Sequence, residues 1–304
     1  MRQGKPKTGA WLSRARLFDI RLLLPAAVLI WIAGPAPGTI APVAGAPVAW
    51  PVLQSAGTLS HARMFRWRDP KGVPQSGAQN ETLSNNWSGY GISGGTYTVV
   101  QGTWVVPSVT YQSYSGAPKV EASSTWIGIG GQDGDSTLIQ TGTMQVAVPN
   151  GEAEYFAWYE ILPDTEVPIN PKQYPVKPGD TITAAIRCTA ACGSYALSTW
   201  VLTVSNTNRW PKPYSITLQY ASSLTSVEWI VEGPCIDNCS SSEPSFAYLP
   251  NYGSTTFSAI SVNNTNPNLS RSPNGIIMKD PSGKAMSSPS DPVGGNAFTV
   301  RFTI

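Results

Sequence analysis

Short segments of alternating apolar and polar residues, separated by turn residues, fill this chain from residue 86 to its end. Such runs, bounded by Gly, Pro, Asn or Ser, are typical of β-strands. We find no convincing amphipathic helix. The pattern therefore predicts an all-β fold, an antiparallel β-sandwich. The clearest predicted strands cover residues 96–106, 124–129, 137–148, 153–162, 181–188, 195–204, 214–220, 226–231, 255–262 and 297–304.

The composition indicates a rigid, turn-rich protein. Charged residues make up only 12% of the chain, which contains 28 Gly, 27 Pro, 11 Trp and 12 Tyr. A single all-β domain can exceed about 200 residues, so residues 85–304 are expected to form one domain. Within it, the Ser-, Asn- and Pro-rich stretch 240–290 is expected to hold long surface loops.

The net charge of +2 conceals two parts of opposite sign. Residues 1–84 contain ten Lys or Arg and three Asp or Glu, a charge of +7, while residues 85–304 contain ten and fifteen, a charge of −5. An acidic region without a Lys/Arg cluster argues against nucleic acid as a partner.

An export signal accounts for the basic front of the chain. Six Lys or Arg precede an apolar run at residues 22–33, which is short for a membrane span and ends in Gly-, Pro- and Ala-rich sequence. We therefore expect residues 1–46 to be a signal peptide and the protein to be secreted, with no membrane association of the mature domain. An uncleaved N-terminal anchor is the alternative.

Residues 47–84 are poor in strand pattern and are expected to be a propeptide or linker. A basic patch at residues 63–71 precedes the acidic domain. This predicts an electrostatic latch that weakens as acid protonates carboxylates. A disordered spacer is the alternative.

Four cysteines form two groups of identical spacing, Cys188 with Cys192 and Cys235 with Cys239. In a secreted chain this spacing favours disulfides, each closing a small loop. A zinc site is the rival interpretation, but the spacing and the lack of a nearby histidine argue against it. The sequence alone leaves three pairings open.

The chain has a single histidine, His61, which lies ahead of the predicted domain. A Ser-His-Asp or Cys-His nucleophile needs an imidazole, and so do histidine-based zinc sites. If residues 85–304 form an enzyme, carboxyl and amide groups must carry the reaction.

Strand alternation places several acidic residues beside large aromatics. Glu228, Ile230 and Glu232 share one face of their predicted strand, and Glu154 shares a face with Glu160 along the strand that contains Trp158. Burial beside aromatics and neighbouring carboxylates raises a carboxyl pKa. We expect Glu154 and Glu228 to be solvated surface charges.

Five separated motifs resemble those of the glutamic peptidases, the eqolisin family. They are Asn-Trp-Ser-Gly-Tyr at 86–90, Thr-Trp-Ile-Gly-Ile at 125–129, Leu-Ile-Gln-Thr-Gly at 138–142, Ala-Trp-Tyr-Glu at 157–160 and Val-Glu-Trp-Ile-Val-Glu at 227–232. The resemblance implies a sandwich of two seven-stranded antiparallel sheets, an acid endopeptidase activity on polypeptides, and no cofactor or metal. We expect a monomer.

The resemblance also implies site residues. The catalytic pair falls on Gln140 and Glu232, and supporting positions fall on Trp126, Glu160, Asn86 and Trp87. The chemistry is plausible in itself, because a carboxylate can activate water and return the proton to the departing amine. The amide of Gln140 can donate a hydrogen bond to the oxyanion.

Two positions depart from the family pattern. Gly130 and Met144 stand where aspartates are expected, so the acidic surroundings of the pair are altered. Gln132, Asp133 and Asp135 are candidates to substitute.

The main rival is a carbohydrate-binding or glycoside-hydrolysing sandwich, since fold does not fix function. In that interpretation Trp158, Trp200 and Trp229 stack on sugars, and Glu160 with Glu232 forms an acid pair. The Glu-x-Asp-x-Glu pattern frequent in glucanases is missing. A catalytically inactive secreted binding protein is a second rival.

Overall fold

The computed structural model describes residues 59–114, 120–149 and 151–304. The expected signal peptide at residues 1–46 lies outside these residues. No helix in the described ranges is long and apolar enough to cross a membrane. Every described residue belongs to one compact unit.

Seventeen strands and one short helical turn make up the described secondary structure. The strands are β1 (Thr82–Ser84), β2 (Trp87–Ser93), β3 (Val99–Val105), β4 (Glu121–Gly130), β5 (Leu138–Ala147), β6 (Glu154–Ile161), β7 (Val167–Pro168), β8 (Thr181–Ala190), β9 (Ser198–Asn206), β10 (Tyr214–Tyr220), β11 (Ser226–Glu232), β12 (Cys235–Asp237), β13 (Ser245–Phe246), β14 (Ser254–Val262), β15 (Gly275–Lys279), β16 (Ala285–Pro289) and β17 (Phe298–Phe302). The turn is α1 (Arg271–Asn274).

Hydrogen bonding runs through the strands in the order β10-β9-β8-β3-β14-β17-β16-β15-β2-β11-β4-β5-β6-β7, and β12 pairs separately with β13. All these pairs are antiparallel, and only β1 pairs in parallel, with β15, among the described strands. The ribbon folds over itself, because β3, β8 and β9 contact β4, β5 and β11. The predicted all-β antiparallel fold is thus confirmed. The hydrogen bonding is continuous and does not by itself define a division into seven and seven strands.

Alternation along the strands creates two apolar clusters. The larger fills the space between the layers and includes Trp104, Trp200, Trp229 and Phe257. The smaller lies on the opposite face of β4, β5, β6 and β11, and contains Trp87, Trp126, Trp158, Met144 and Ile230. Neighbouring residues of one strand, such as Trp229 and Ile230, therefore belong to different clusters, as their period of two requires.

The stretch 240–290 contains β14, which matches the strand predicted at 255–262, and the shorter strands β13, β15 and β16, with loops between them. Its Ser-rich strands pair within the sheet and bury alternate residues such as Ser287, a pattern that apolar content alone does not signal. Residues 59–84 pack within the same unit as the domain and contribute β1.

The cysteines form the two local disulfides, Cys188–Cys192 and Cys235–Cys239. Each joins residues four apart, so each closes a small loop. This resolves the three pairings that the sequence left open.

Candidate active site

Strand pairing brings the two predicted catalytic residues and their neighbours onto one face. Gln140 of β5 lies directly opposite Glu160 of β6 in the antiparallel register. Glu232 ends β11 and lies opposite Ser124 of β4, two residues from Trp126. All these side chains are buried, on the face that carries the smaller apolar cluster. We call Gln140, Glu160 and Glu232 the candidate site.

Three N–H groups contact the carboxylate of Glu232. Oε2 accepts a hydrogen bond from Trp126 Nε1 at 2.9 Å. Oε1 accepts from Asn86 Nδ2 at 3.3 Å and from the backbone N of Ala62 at 3.1 Å. Burial raises the pKa of Glu232 well above its ordinary value, while these three donors oppose the shift and the charge of Glu160 adds to it.

Gln140 and Glu160 form a second buried pair. Gln140 Nε2 donates to Glu160 Oε2 at 3.0 Å. The other amide atom, Gln140 Oε1, has no hydrogen-bond partner within the described residues. Gln140 therefore presents a neutral amide whose donor end is held by a carboxyl oxygen.

The supporting residues hold Glu232 in place. Asn86 bridges Glu232 to the backbone, because its Nδ2 also donates to Arg63 O at 3.1 Å. Trp87 packs edge-on against Trp126 with ring centroids 4.9 Å apart. All six residues predicted for the site, Asn86, Trp87, Trp126, Gln140, Glu160 and Glu232, thus gather in one region.

Two glycines allow neighbouring strands to pack closely around Trp126. A Cβ at Gly142 would lie 2.5 Å from Trp126 Cβ, and one at Gly128 would lie 2.8 Å from the far edge of its ring. Neither distance is compatible with van der Waals contact, so both positions need glycine. The glycines of the motifs at 125–129 and 138–142 are therefore explained by close packing against Trp126, whose indole donates to Glu232.

A further carboxyl at the site, Glu166, was missed by the sequence analysis. It lies in the loop before β7, and its Oε2 is 3.4 Å from His61 Nδ1. Burial raises the pKa of Glu166 well above its ordinary value, and the charges of Glu160 and Glu232 raise it further. No strand alternation extends into this loop, so no sequence signal identified it.

Residues 59–64, which we call the covering segment, lie over the candidate site. Ser60 Oγ donates to Glu160 Oε1 at 2.6 Å, and the backbone N of His61 donates to Glu160 Oε2 at 3.1 Å. The His61 ring stacks on Trp158 with centroids 3.6 Å apart. His61 is 1% exposed, so the expectation that it lies ahead of the fold is wrong. The segment forms no regular strand, so strand periodicity did not indicate this packing.

The three residues expected to substitute for the missing aspartates lie outside the candidate site. Gln132 Nε2 donates to Glu228 at 2.8 Å, Asp133 pairs with Arg66, and Asp135 accepts from Thr137. None of these contacts reaches the candidate site. Gly130 has a φ of +102°, and a Cβ there would lie 2.2 Å from Thr137 O, so its backbone does not accommodate an aspartate. Glu166 is the additional carboxyl that this chain supplies.

Two further expectations concern Glu228 and Glu154. Glu228 is fully buried, so its interpretation as a surface charge is wrong; the side chain of Gln132 covers it. Glu154 is half-buried at the start of β6.

The tryptophans proposed to stack on sugars, Trp158, Trp200 and Trp229, are all 0% exposed. They belong to the two apolar clusters.

Among the described residues, no group of three or more His, Cys, Asp or Glu is arranged to hold a metal ion.

A family model matches residues 85–301, well over half of the chain, and it is that of the Peptidase A4 family. The chain belongs to the Peptidase A4 family. The resemblance drawn from five sequence motifs is thereby confirmed.

Known Peptidase A4 relatives match over much of their length. Aspergillopepsin-2 of Aspergillus niger is 26% identical over 289 residues, which span 85% of this chain and 95% of the relative. Scytalidopepsin B of Scytalidium lignicola is 26% identical over 177 residues, which span 58% of this chain and 61% of the relative.

A solved structure, that of scytalido-glutamic peptidase with a transition-state analogue inhibitor, matches with a TM-score of 0.54. It is 20% identical and covers 72% of this chain and 98% of that one, which shows the shared fold. As a member of the Peptidase A4 family, the protein is a glutamic-type endopeptidase with a polypeptide substrate.

Proposed function

We propose that this Peptidase A4 member hydrolyses peptide bonds with Glu232 as general base and acid and Gln140 as oxyanion donor. One observation carries the proposal. Glu232 and the Gln140–Glu160 pair approach the same buried stretch of backbone, His61–Ala62, from different strands. Two successive backbone N–H groups thus donate to the two carboxyl groups of the candidate site.

Glu232 has the contacts that the base requires. Trp126 and Asn86 each donate to one of its two oxygens, which fixes the orientation of the carboxylate before reaction, and the Ala62 nitrogen adds a third donor while the covering segment is in place. These donors stabilise the ionised form, which is the form that accepts a proton from water. The proton then passes to the departing amine nitrogen.

Gln140 supplies charge stabilisation without titrating. Its Nε2 already donates to an oxygen of Glu160, and the same donor suits the oxyanion that develops on a carbonyl oxygen. Glu160 acts as a positioning residue, because it holds the amide of Gln140 until substrate binds. Donors of this kind act strongly where water is excluded, as on this buried face.

Activity in acid agrees with this arrangement. Burial is the main cause of the raised pKa of Glu232, and the covering segment contributes to that burial. When substrate and water replace the segment, the pKa of Glu232 falls and the carboxylate persists at lower pH. The basic N-terminus followed by an apolar run supports secretion of the enzyme.

The test uses the full chain and a denatured protein substrate over a series of acidic pH values. Gln140→Ala is expected to lose about 10²–10³ in kcat. Glu232→Ala is expected to lose about 10²–10⁴. Gln219→Ala is the control, since Gln219 lies on β10 and bonds Thr199 instead. Thermal unfolding checks that each variant folds, and proteolysis that survives both site substitutions would sink the mechanism.

A further inference from the structure

The ring of His61 is enclosed at the candidate site by one aromatic face and two carboxyl groups. It stacks on Trp158 with an interplanar angle of 19°. Its Nδ1 lies 3.1 Å from Glu160 Oε2 and 3.4 Å from Glu166 Oε2. The side chain of His61 is fully buried, so the ring fills a closed space. We call Trp158, Glu160 and Glu166 the imidazole pocket.

Glu166 has no role in the proposed mechanism. Glu160 Oε2 accepts a hydrogen bond from Gln140, whereas Glu166 Oε2 accepts none within the described residues. The side chain of Glu166 is only 5% exposed. A buried carboxyl oxygen without a hydrogen-bond partner is costly and therefore needs an explanation. Because this oxygen lies near the His61 nitrogen, we consider a ligand with a ring nitrogen.

The imidazole pocket adjoins the proposed catalytic residues. The backbone N of His61 donates to Glu160 Oε2, the oxygen that also accepts Gln140 Nε2. The next backbone N, that of Ala62, donates to Glu232 Oε1 at 3.1 Å. The ring therefore belongs to a residue whose backbone contacts the candidate site directly. A substrate residue in the same place presents its side chain to the same pocket.

An imidazole matches this pocket in shape and in hydrogen bonding. Its planar ring stacks on an indole, and a ring nitrogen can donate to a carboxylate or accept from a carboxylic acid. A phenyl ring also stacks, but it leaves the buried carboxyl oxygens without a partner. A lysine ammonium has no ring and only donates. Burial raises the pKa of Glu166, which disfavours the carboxylate that an ammonium group needs.

We propose that the imidazole pocket is a substrate subsite that selects histidine in the polypeptide, with Glu166 as its specificity-determining residue. The subsite rests on the proposed function of Glu232 and Gln140, because it concerns the substrate of that reaction. A histidine of the substrate takes the place of His61, stacks on Trp158 and approaches both carboxyl groups through one ring nitrogen. Peptides with histidine beside the cut bond are therefore cleaved faster than their phenylalanine, leucine or lysine counterparts.

The experiment measures kcat/KM of the full chain in acid on four peptides that differ only in one central residue, which is histidine, phenylalanine, leucine or lysine. Mass spectrometry of the products locates the cut. The wild type should cut beside histidine and favour that peptide at least about tenfold over the other three. Glu166→Leu removes the carboxyl, so it should reduce the histidine-to-phenylalanine ratio at least about fivefold. Its kcat/KM on the phenylalanine peptide should stay within about threefold of the wild type.

Glu166→Gln keeps one acceptor oxygen, so its histidine-to-phenylalanine ratio should lie between those of the wild type and Glu166→Leu. Glu228→Gln is the matched control, because it also replaces a buried carboxyl by an amide but lies outside the imidazole pocket. It should leave kcat/KM on all four peptides within about threefold of the wild type.

The outcomes separate the subsite from the catalytic mechanism. Equal cleavage of the four peptides by the wild type overturns the subsite and leaves the proposed function standing. So does a histidine preference that Glu166→Leu leaves unchanged, or an equal loss on all four peptides in both Glu166 variants. Cleavage of the peptides by Glu232→Gln at the wild-type rate, or no cleavage of any peptide by the wild type, overturns the proposed function itself.

Discussion

Two buried glutamates of β11, Glu228 and Glu232, share a strand and a face but have different surroundings. Glu232 receives three N–H donors and lies beneath the covering segment. Glu228 receives an amide hydrogen bond from Gln132, and no residue of the covering segment contacts it among the described contacts. Burial raises the pKa of both carboxyls. A buried carboxyl with a raised pKa is therefore not enough to mark a catalytic group.

The register of β11 explains the difference. Glu228 lies opposite Gly91 of β2 and Gly128 of β4, whereas Glu232 lies opposite Trp87 and Ser124. A Cβ at Gly91 would lie 2.4 Å from Gln132 Nε2, so the missing side chain is what lets Gln132 cover Glu228. At Glu232 the neighbouring Trp87 and Trp126 supply N–H groups to the segment and to the carboxylate. The side chain of Gln132 covers Glu228 at one end of β11, and the backbone of the covering segment contacts Glu232 at the other end.

The largest expected difference between the two glutamates is in catalysis. Glu232→Gln removes the group that exchanges protons with water and the amine, so kcat/KM on a peptide substrate should fall about 10²–10⁴-fold. Glu228→Gln keeps the acceptor oxygen for Gln132 and should stay within about threefold of the wild type. Steady-state kinetics of the two full-length variants at one acidic pH measures both.

Equal losses in the two variants would mean that the site spans both ends of β11. If both variants kept the wild-type kcat/KM, Glu232 would have no part in the mechanism. Because each change replaces a buried carboxylate by an isosteric amide, the pair controls for charge and for volume.

A smaller effect is expected from Trp126→Phe, which removes the N–H that Glu232 Oε2 accepts. Loss of a donor to the ionised form raises the pKa of Glu232, so the acid limb of the kcat/KM profile should move to higher pH. A hydrogen bond to a charged group contributes about 1.5–3 kcal/mol, which predicts at least a roughly tenfold loss on the acid side.

Trp229→Phe is the matched control for that prediction. Its Nε1 donates to Gln101 O in the core between the layers, and it makes no contact with Glu232. Its profile should keep the wild-type acid limb even if its stability falls. An unmoved limb in Trp126→Phe would show that the indole N–H does not tune Glu232.

Strand alternation predicted much of this arrangement from the sequence. The period of two correctly placed Glu232 with Ile230 and apart from Trp229, because one face of β11 is packed on the core and the other on the smaller cluster. The family-like motifs then supplied Gln140 and Glu160, which the register sets side by side. Regular strands with one buried side carry their own register.

Groups outside regular strands were not predictable in this way. His61 lies in a segment whose hydrogen bonds go to side chains and isolated backbone groups, so no periodicity marks it. Glu166 lies in a loop and becomes part of the site only because β6 and β7 bring it towards His61. Glu228 was expected on the surface because alternation shows which side chains share a face but not that Gln132 folds over one of them.

The smallest expected effect concerns stability, where Glu228 is the informative residue. Burial raises its pKa well above 4.5, and Asp135 and Asp133 add to the shift. The folded chain therefore holds this proton more tightly than the unfolded chain, so stability falls as pH rises above the ordinary carboxyl value. Glu228→Gln removes that loss. Its Tm should exceed the wild-type Tm at neutral pH and match it in acid.

The steepness of thermal unfolding converts this difference in stability into a shift in Tm. For a domain of this size each kcal/mol corresponds to about 2–4 °C in Tm, so a gain of several degrees at neutral pH is measurable by calorimetry. Glu243→Gln makes the same charge change at an exposed residue and should shift Tm little at either pH. An equal gain for Glu228→Gln in acid and at neutral pH would assign the effect to packing instead of ionisation. In that case Glu228 and Glu232 would differ in their role in catalysis and not in their protonation.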